Sequence, residues 1–124
     1  MPRVLVIEDD EQTRDMLKQL LERNGYEVDA AEEGVAGLKA FRKREADVVL
    51  TDLLMPGKEG LETIRELLAA RPGLPIIAMS GGGRLGNLGY LAAAEKMGAA
   101  KVFAKPIDIP LLLAAIKELT TPRG

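Results

Sequence analysis

The sequence predicts an α/β domain in which five parallel strands alternate with five helices that cover both faces of the sheet. Two observations carry the prediction: short apolar blocks recur along the chain, several without polar alternation, and the segments between them place apolar residues at helical spacing. A third is the punctuation, with Gly, Pro and Asn standing where one kind of element gives way to the next. Regular alternation of this kind implies right-handed crossovers and a sheet enclosed by helices.

In chain order, Val4 to Ile7 form the first strand, and Met16, Leu17, Leu20 and Leu21 mark a first helix that Asn24-Gly25 ends. Val28 to Ala31 form the second strand, followed by a helix carrying Val35, Leu38 and Phe41. Val48 to Leu50 form the third strand, which runs out in Thr51-Asp52. Gly60 is expected just before the third helix, which carries Ile64, Leu67 and Leu68 and ends at Arg71-Pro72-Gly73. Pro75 to Met79 form the fourth strand. Leu91, Ala92, Ala93, Ala94 and Met97 fill a fourth helix, and Val102 to Ala104 form the fifth strand. The last helix is the clearest, with Leu112, Ala115, Ile116 and Leu119 at i, i+3, i+4 and i+7.

Composition removes several function classes. The 124 residues suit one domain able to bury a core without staples. With 17 basic and 19 acidic residues the net charge is −2, which argues against a partner recognised through its phosphate backbone. The absence of Cys excludes disulfides, thiol nucleophiles and thiolate metal sites, and the absence of His excludes an imidazole base. Apolar runs such as Leu111 to Ile116 fall far short of the ~20 residues that span a bilayer. Glu8, Asp9 and Asp10 come too early for a signal peptide, so a soluble cytoplasmic protein without membrane contact is expected.

In an open parallel sheet, ligands gather outside the carboxyl ends of the strands. There the first strand delivers Glu8, Asp9, Asp10 and Glu11, the third delivers Asp52, the fourth Ser80 and the fifth Lys105-Pro106. Each has an ordinary structural reading when taken alone. An acidic run after a strand suits a helix N-terminus, Asp52 suits a turn or cap, and Ser80 suits a cap. Together they bring carboxylates, a hydroxyl and an ammonium to one edge. Carboxylates from two loops suit a hard cation such as Mg2+, and a carboxylate can itself accept a phosphoryl group. Phosphoryl transfer depends mainly on positioning and charge neutralisation, which Mg2+ on one side and Lys105 on the other would supply without a histidine.

At these residues the chain resembles the receiver domain of two-component response regulators. The resemblance is carried by Val4-Leu5-Val6-Ile7-Glu8-Asp9-Asp10, Val48-Val49-Leu50-Thr51-Asp52-Leu53-Leu54-Met55-Pro56, Gly60, Ile76-Ile77-Ala78-Met79-Ser80, Gly98-Ala99 and Lys105-Pro106. It implies a flavodoxin-like fold with strand order 2-1-3-4-5, residues 1–124 forming one receiver domain. It implies Asp52 as phosphoacceptor, Lys105 as the phosphate-contacting lysine before a cis Pro106, and Ser80 as the switch hydroxyl. Aligned on Val4 to Ile7 with Arg14 in its usual helical place, Glu8 and Asp9 become the metal-binding pair. Asp9 would then bind Mg2+ (or Mn2+) directly with Asp52 and the Leu54 carbonyl, and Glu8 mainly through water. The amides of Leu53 and Gly81 are the expected phosphoryl donors.

Two departures from the family pattern, and two apolar positions beside the site, shape further expectations. Val102 stands where the family often has an aromatic residue, and Phe103, one place later, should point to the opposite face of the strand. Ser80 is followed by a long loop, Gly81 to Gly89, whose five glycines should make it mobile; it lacks the pattern of a nucleotide-binding phosphate loop. Leu54 and Gly82 carry no polar group to orient an attacking water, so slow self-dephosphorylation is expected. Leu54 also stands where aspartyl-phosphate phosphatases carry a second Asp, and Glu8 to Glu11 would repel the phosphate of a flavin.

The function so implied is a stand-alone receiver with no output domain, a monomer or weak dimer. It catalyses nothing beyond its own phosphorylation and dephosphorylation. Asp52 takes its phosphoryl group from a sensor histidine kinase or phosphotransfer protein and signals through altered binding to an output protein. A receiver fold used only for docking, independent of phosphorylation, is the rival reading.

Overall fold

The computed structural model describes residues 1–53, 59–80 and 85–121, with side chains throughout except at 59, 85–88 and 90. Ten elements alternate strictly: β1 (Arg3–Ile7), α1 (Glu11–Arg23), β2 (Glu27–Ala31), α2 (Gly34–Lys43), β3 (Val48–Asp52), α3 (Glu59–Ala70), β4 (Ile76–Ser80), α4 (Leu85–Met97), β5 (Lys101–Ala104) and α5 (Ile109–Thr120). All strand pairs are parallel, and the sheet order is β2-β1-β3-β4-β5. This is the predicted doubly wound topology. The polar residues Arg3, Glu27, Asp52, Ser80 and Lys101 extend the strands beyond their apolar blocks.

Side chains alternate across the sheet and divide the core in two. Leu5, Ile7, Val49, Ile76 and Ala78 face Leu38, Phe41, Ile64, Leu67, Leu91 and Ala94 on α2, α3 and α4. Val4, Val6, Val48, Leu50, Ile77 and Met79 face Leu17, Leu21, Leu112 and Ile116 on α1 and α5. Val102 packs on the first layer and Phe103 on the second, as strand alternation requires. The central strands β1, β3 and β4 are buried almost throughout, whereas the edge strands β2 and β5 are only partly covered.

Local chemistry sets the helix ends. Asp10 caps α1, its carboxylate accepting from the Thr13 N–H at 2.9 Å, and Asp108 caps α5 by accepting from Leu111 at 3.2 Å. After Asn24 closes α1, Gly25 takes φ = 90°, a left-handed conformation that glycine adopts without a Cβ penalty.

Two expectations need correction, and two apolar residues that mark helices face outward. Gly60 does not precede α3 but is its second residue. Val35 is 55% exposed and Met16 46%, because α2 turns Gly34, Gly37, Leu38 and Phe41 inward while α1 buries Leu17 and Leu21. The stretch 81–89 is not all loop, since α4 begins at Leu85. Residues 81–84 lie outside the described residues, as do Leu54, Met55 and Pro56.

Candidate functional site

The sheet delivers the chemistry to one edge. Glu8 directly follows β1, Asp52 ends β3 and Ser80 ends β4; these are the three central strands, so the side chains emerge from the most enclosed part of the sheet. Lys105 follows β5, its N–H donating to the Ser80 carbonyl at 2.8 Å, and the Lys105–Pro106 peptide is cis. Glu8 is fully buried, Asp52 is 3% exposed and Asp9 is exposed.

Carboxylate oxygens of Glu8, Asp9 and Asp52 all lie within 4.8 Å of one another. Lys105 Nζ is 2.5 Å from Glu8 Oε1 and 3.2 Å from Asp52 Oδ2. The second oxygen of Glu8 accepts from the Asp10 N–H at 3.1 Å. Burial drives the Glu8 carboxyl up from 4.5 to about 7, with the negative charge of Asp52 reinforcing the shift and the hydrogen bond from Lys105 opposing it. For Lys105, burial acts to lower the ammonium's pKa, but the hydrogen bond to Glu8 and the charges of Asp52 and Glu8 prevail and raise it above 10.5.

The acidic run thus divides by role. Asp10 turns back to cap α1, and its hydrogen bonds from Thr13 hold its carboxyl below the usual range. Glu8 and Asp9 face Asp52, so the pair taken from the three contiguous candidates is the pair the fold brings together. The donor set is all carboxylate, hard and crowded, with one ammonium between two of its members; such a set fits a hard divalent cation.

Ser80 and Leu53 have defined surroundings. The Ser80 hydroxyl is buried and, among the described residues, has no hydrogen-bond partner. The Leu53 N–H, expected as a phosphoryl donor, here donates to the Met79 carbonyl at 2.7 Å and completes the β3–β4 ladder. Gly81 and the Leu54 carbonyl lie outside the described residues.

Sequence reasoning did not foresee three contacts around the site. One is the close Glu8–Lys105 pair, and another is Arg14, whose guanidinium donates to the Glu8 carbonyl at 2.9 Å. The third is the approach of Gly60 to Leu53. A Cβ at Gly60 would stand 2.6 Å from the Leu53 Cα and 2.7 Å from its carbonyl oxygen. A signal for it existed, because a glycine inside a helix costs about 1 kcal/mol relative to alanine and so marks a close backbone approach.

Fold and site together define a doubly wound α/β domain with a carboxylate pocket, an ammonium and a buried hydroxyl at the carboxyl edge of its sheet. Comparison with known proteins agrees. Residues 4–117 match the response regulator receiver domain family. Response regulator MprA of Mycobacterium sp. (strain KMS) is 32% identical over 117 residues, covering 94% of this chain and 50% of that protein, and the Mycobacterium leprae (strain TN) protein of the same name gives the same values. A crystal structure of a response regulator receiver domain protein from Clostridium thermocellum is 32% identical with a TM-score of 0.89, covering 97% of this chain and 94% of that one. A CheY-like receiver domain protein from Methanospirillum hungatei JF-1 is also 32% identical, with a TM-score of 0.84 and coverage of 95% and 92%.

The chain belongs to the response regulator receiver domain family of two-component signalling. It spans about half the length of the curated relatives it matches. Among the described residues no helix is long and apolar enough to cross a membrane.

Proposed function

We propose that Asp52 is the phosphoryl acceptor of this receiver, that Glu8 and Asp9 join it in holding Mg2+ or Mn2+, and that the protein signals by binding another protein differently once phosphorylated. The observation that carries this reading is the convergence of Glu8, Asp9 and Asp52 within 4.8 Å beside the Lys105 ammonium. A carboxylate oxygen of Asp52 attacks the phosphorus of a phosphohistidine on a sensor kinase or phosphotransfer protein. An O–P bond forms, the P–N bond breaks, and its electron pair leaves with the imidazole nitrogen. Lys105, already 3.2 Å from Asp52, holds a phosphoryl oxygen, and Ser80 donates the hydroxyl that lacks a partner among the described residues. A bound divalent cation supplies neutralisation of the crowded carboxylates and of charge on the transferring group.

On this reading the protein is a cytoplasmic signalling element, a monomer or weak dimer, and the chemistry of this domain is its own phosphorylation and dephosphorylation. The testing experiment is intact mass after incubation with acetyl phosphate and Mg2+. One added phosphoryl group is expected for the native chain, and none for Asp52→Asn or without metal. No gain from acetyl phosphate or a phosphohistidine donor, with the fold intact, would favour a docking-only adaptor.

A further inference from the structure

Arg14, in the first turns of α1, holds main chain at the site rather than a carboxylate. Its Nη1 donates to the carbonyl of Glu8 at 2.9 Å and lies 3.5 Å from the carbonyl of Asp9. On the other side of the same residue, the Glu8 N–H donates to the Ala31 carbonyl of β2 at 3.0 Å. The peptide planes that project the two acids are therefore fixed between the neighbouring strand and a helix side chain. The clamp matters most for Asp9, whose side chain is exposed and so has no surrounding core to set its direction.

We propose that Arg14 is a positioning residue for the cation site, presetting the main chain of Glu8 and Asp9 so that their carboxylates meet Asp52. The inference rests on the reading of the acidic group given above. Two effects of this arginine oppose each other. As a nearby positive charge it disfavours a bound cation, whereas as a clamp it removes the entropy cost of gathering three carboxylates. Arg14→Met, close in length and uncharged, separates them by sign: a bystander charge lost would tighten cation binding, and a clamp lost would weaken it.

The test is titration of Mn2+ and Mg2+ into the whole chain, read by calorimetry and by the cation-induced shift in Tm, with circular dichroism to confirm the fold. Arg14→Met is expected to bind about tenfold more weakly, the usual scale for loss of an outer-shell support. Arg14→Lys, which keeps the charge and one donor, should recover part of the loss. Lys18→Met removes an exposed positive charge from the same helix, where Lys18 pairs with Glu22 at 3.0 Å, and should bind like the native chain. Acetyl phosphate labelling of Arg14→Met should be slow at limiting metal and return to the native rate at saturating metal, a pattern that general destabilisation does not produce.

Unchanged or tighter cation binding by folded Arg14→Met, or a labelling deficit that persists at saturating metal, overturns the inference. Should Arg14→Met not fold, Arg14→Gln is read by the same criteria. A native chain that binds neither cation and takes no phosphoryl group overturns the proposed function and this inference with it; native binding matched by Arg14→Met overturns this inference alone.

Discussion

Glu8 and Lys105 are 97 positions apart in the chain, yet their Oε1 and Nζ atoms meet at 2.5 Å, closer than the 3.2 Å between the same ammonium and Asp52. The lysine thus lies nearest the carboxylate with no exposure, where leaving a charge uncompensated costs most. Charge around the lysine is unevenly matched, since one ammonium stands against two close carboxylates with a third nearby. Both the pH response and the cation response follow from that imbalance.

Glu8 ionises near 4.5 in the unfolded chain and near 7 in the folded one. Between those values the folded protein holds a proton that the unfolded chain has released, so the contribution of Glu8 to stability falls as pH rises through this window. The loss has an upper bound of about 3–4 kcal/mol, at roughly 1.4 kcal/mol per pK unit. Urea melts in the presence of chelator should show native stability declining from pH 4.5 to 7 relative to Glu8→Gln, with the variant the more stable above pH 7. Parallel pH profiles would mean that Glu8 ionises in the fold as freely as in water.

Lys105→Met removes the ammonium and leaves Glu8 and Asp52 facing each other across an enclosed space. Breaking such a pair costs several kcal/mol when it is fully buried; the lysine side chain is 23% exposed, which reduces the expected loss to about 2 kcal/mol without metal. A divalent cation no longer competes with the ammonium, so its stabilisation should exceed that of the native chain at equal concentration. For scale, free cation at ten times Kd stabilises by about 1.4 kcal/mol. Thermal melts with and without Mg2+ measure both effects, and a smaller Mg2+ shift than in the native chain would contradict the account.

How far the sequence discloses this architecture depends on whether a feature is local. Strands β1, β3 and β4 are legible because burial on both faces leaves uninterrupted apolar runs such as Val4 to Ile7. Strand ends are less so, because Asp52 and Ser80 are polar residues that remain in the ladder while serving the site. The inward faces of helices mislead where glycine replaces a side chain. Gly37, not Val35, faces the sheet on α2, where an added Cβ would run into the side chain of Ile7. The site's members could be named from strand-end positions, but the Glu8–Lys105 pair, the Arg14 clamp and the Gly60–Leu53 approach are distances between segments remote in sequence or turned back on themselves. No periodicity encodes them.

Gly60→Ala tests the last of these. Alanine in a helix gains about 1 kcal/mol over glycine by propensity, but here its methyl would meet Leu53 Cα at 2.6 Å and the Leu53 carbonyl carbon at 3.0 Å. Both are backbone atoms. Leu53 is held by its N–H on Met79 and by a buried side chain, so it cannot easily yield. Overpacking of this kind costs up to about 3 kcal/mol, and with the propensity gain subtracted the expected net loss is up to about 2 kcal/mol by denaturant melt. Acetyl phosphate labelling should slow as well, since Leu53 directly follows Asp52. A variant as stable as the native chain would show that α3 can move off the β3 exit at little cost.

Ser80→Ala should separate the resting protein from the phosphorylated one. The resting hydroxyl is buried and has no partner among the described residues, and an unsatisfied buried hydroxyl carries a desolvation cost of about 1–3 kcal/mol that alanine does not. Unphosphorylated Ser80→Ala is therefore expected to match or exceed native stability by up to about 1 kcal/mol, an unusual outcome for shortening a polar residue in a core. On the proposed function the order should reverse after phosphorylation, because the native hydroxyl then has an anionic oxygen to donate to and alanine offers none. The measurement is Tm for both proteins before and after labelling, with labelling extent fixed by intact mass. A native chain that gains no more from the phosphoryl group than Ser80→Ala does would place the hydroxyl outside the switch.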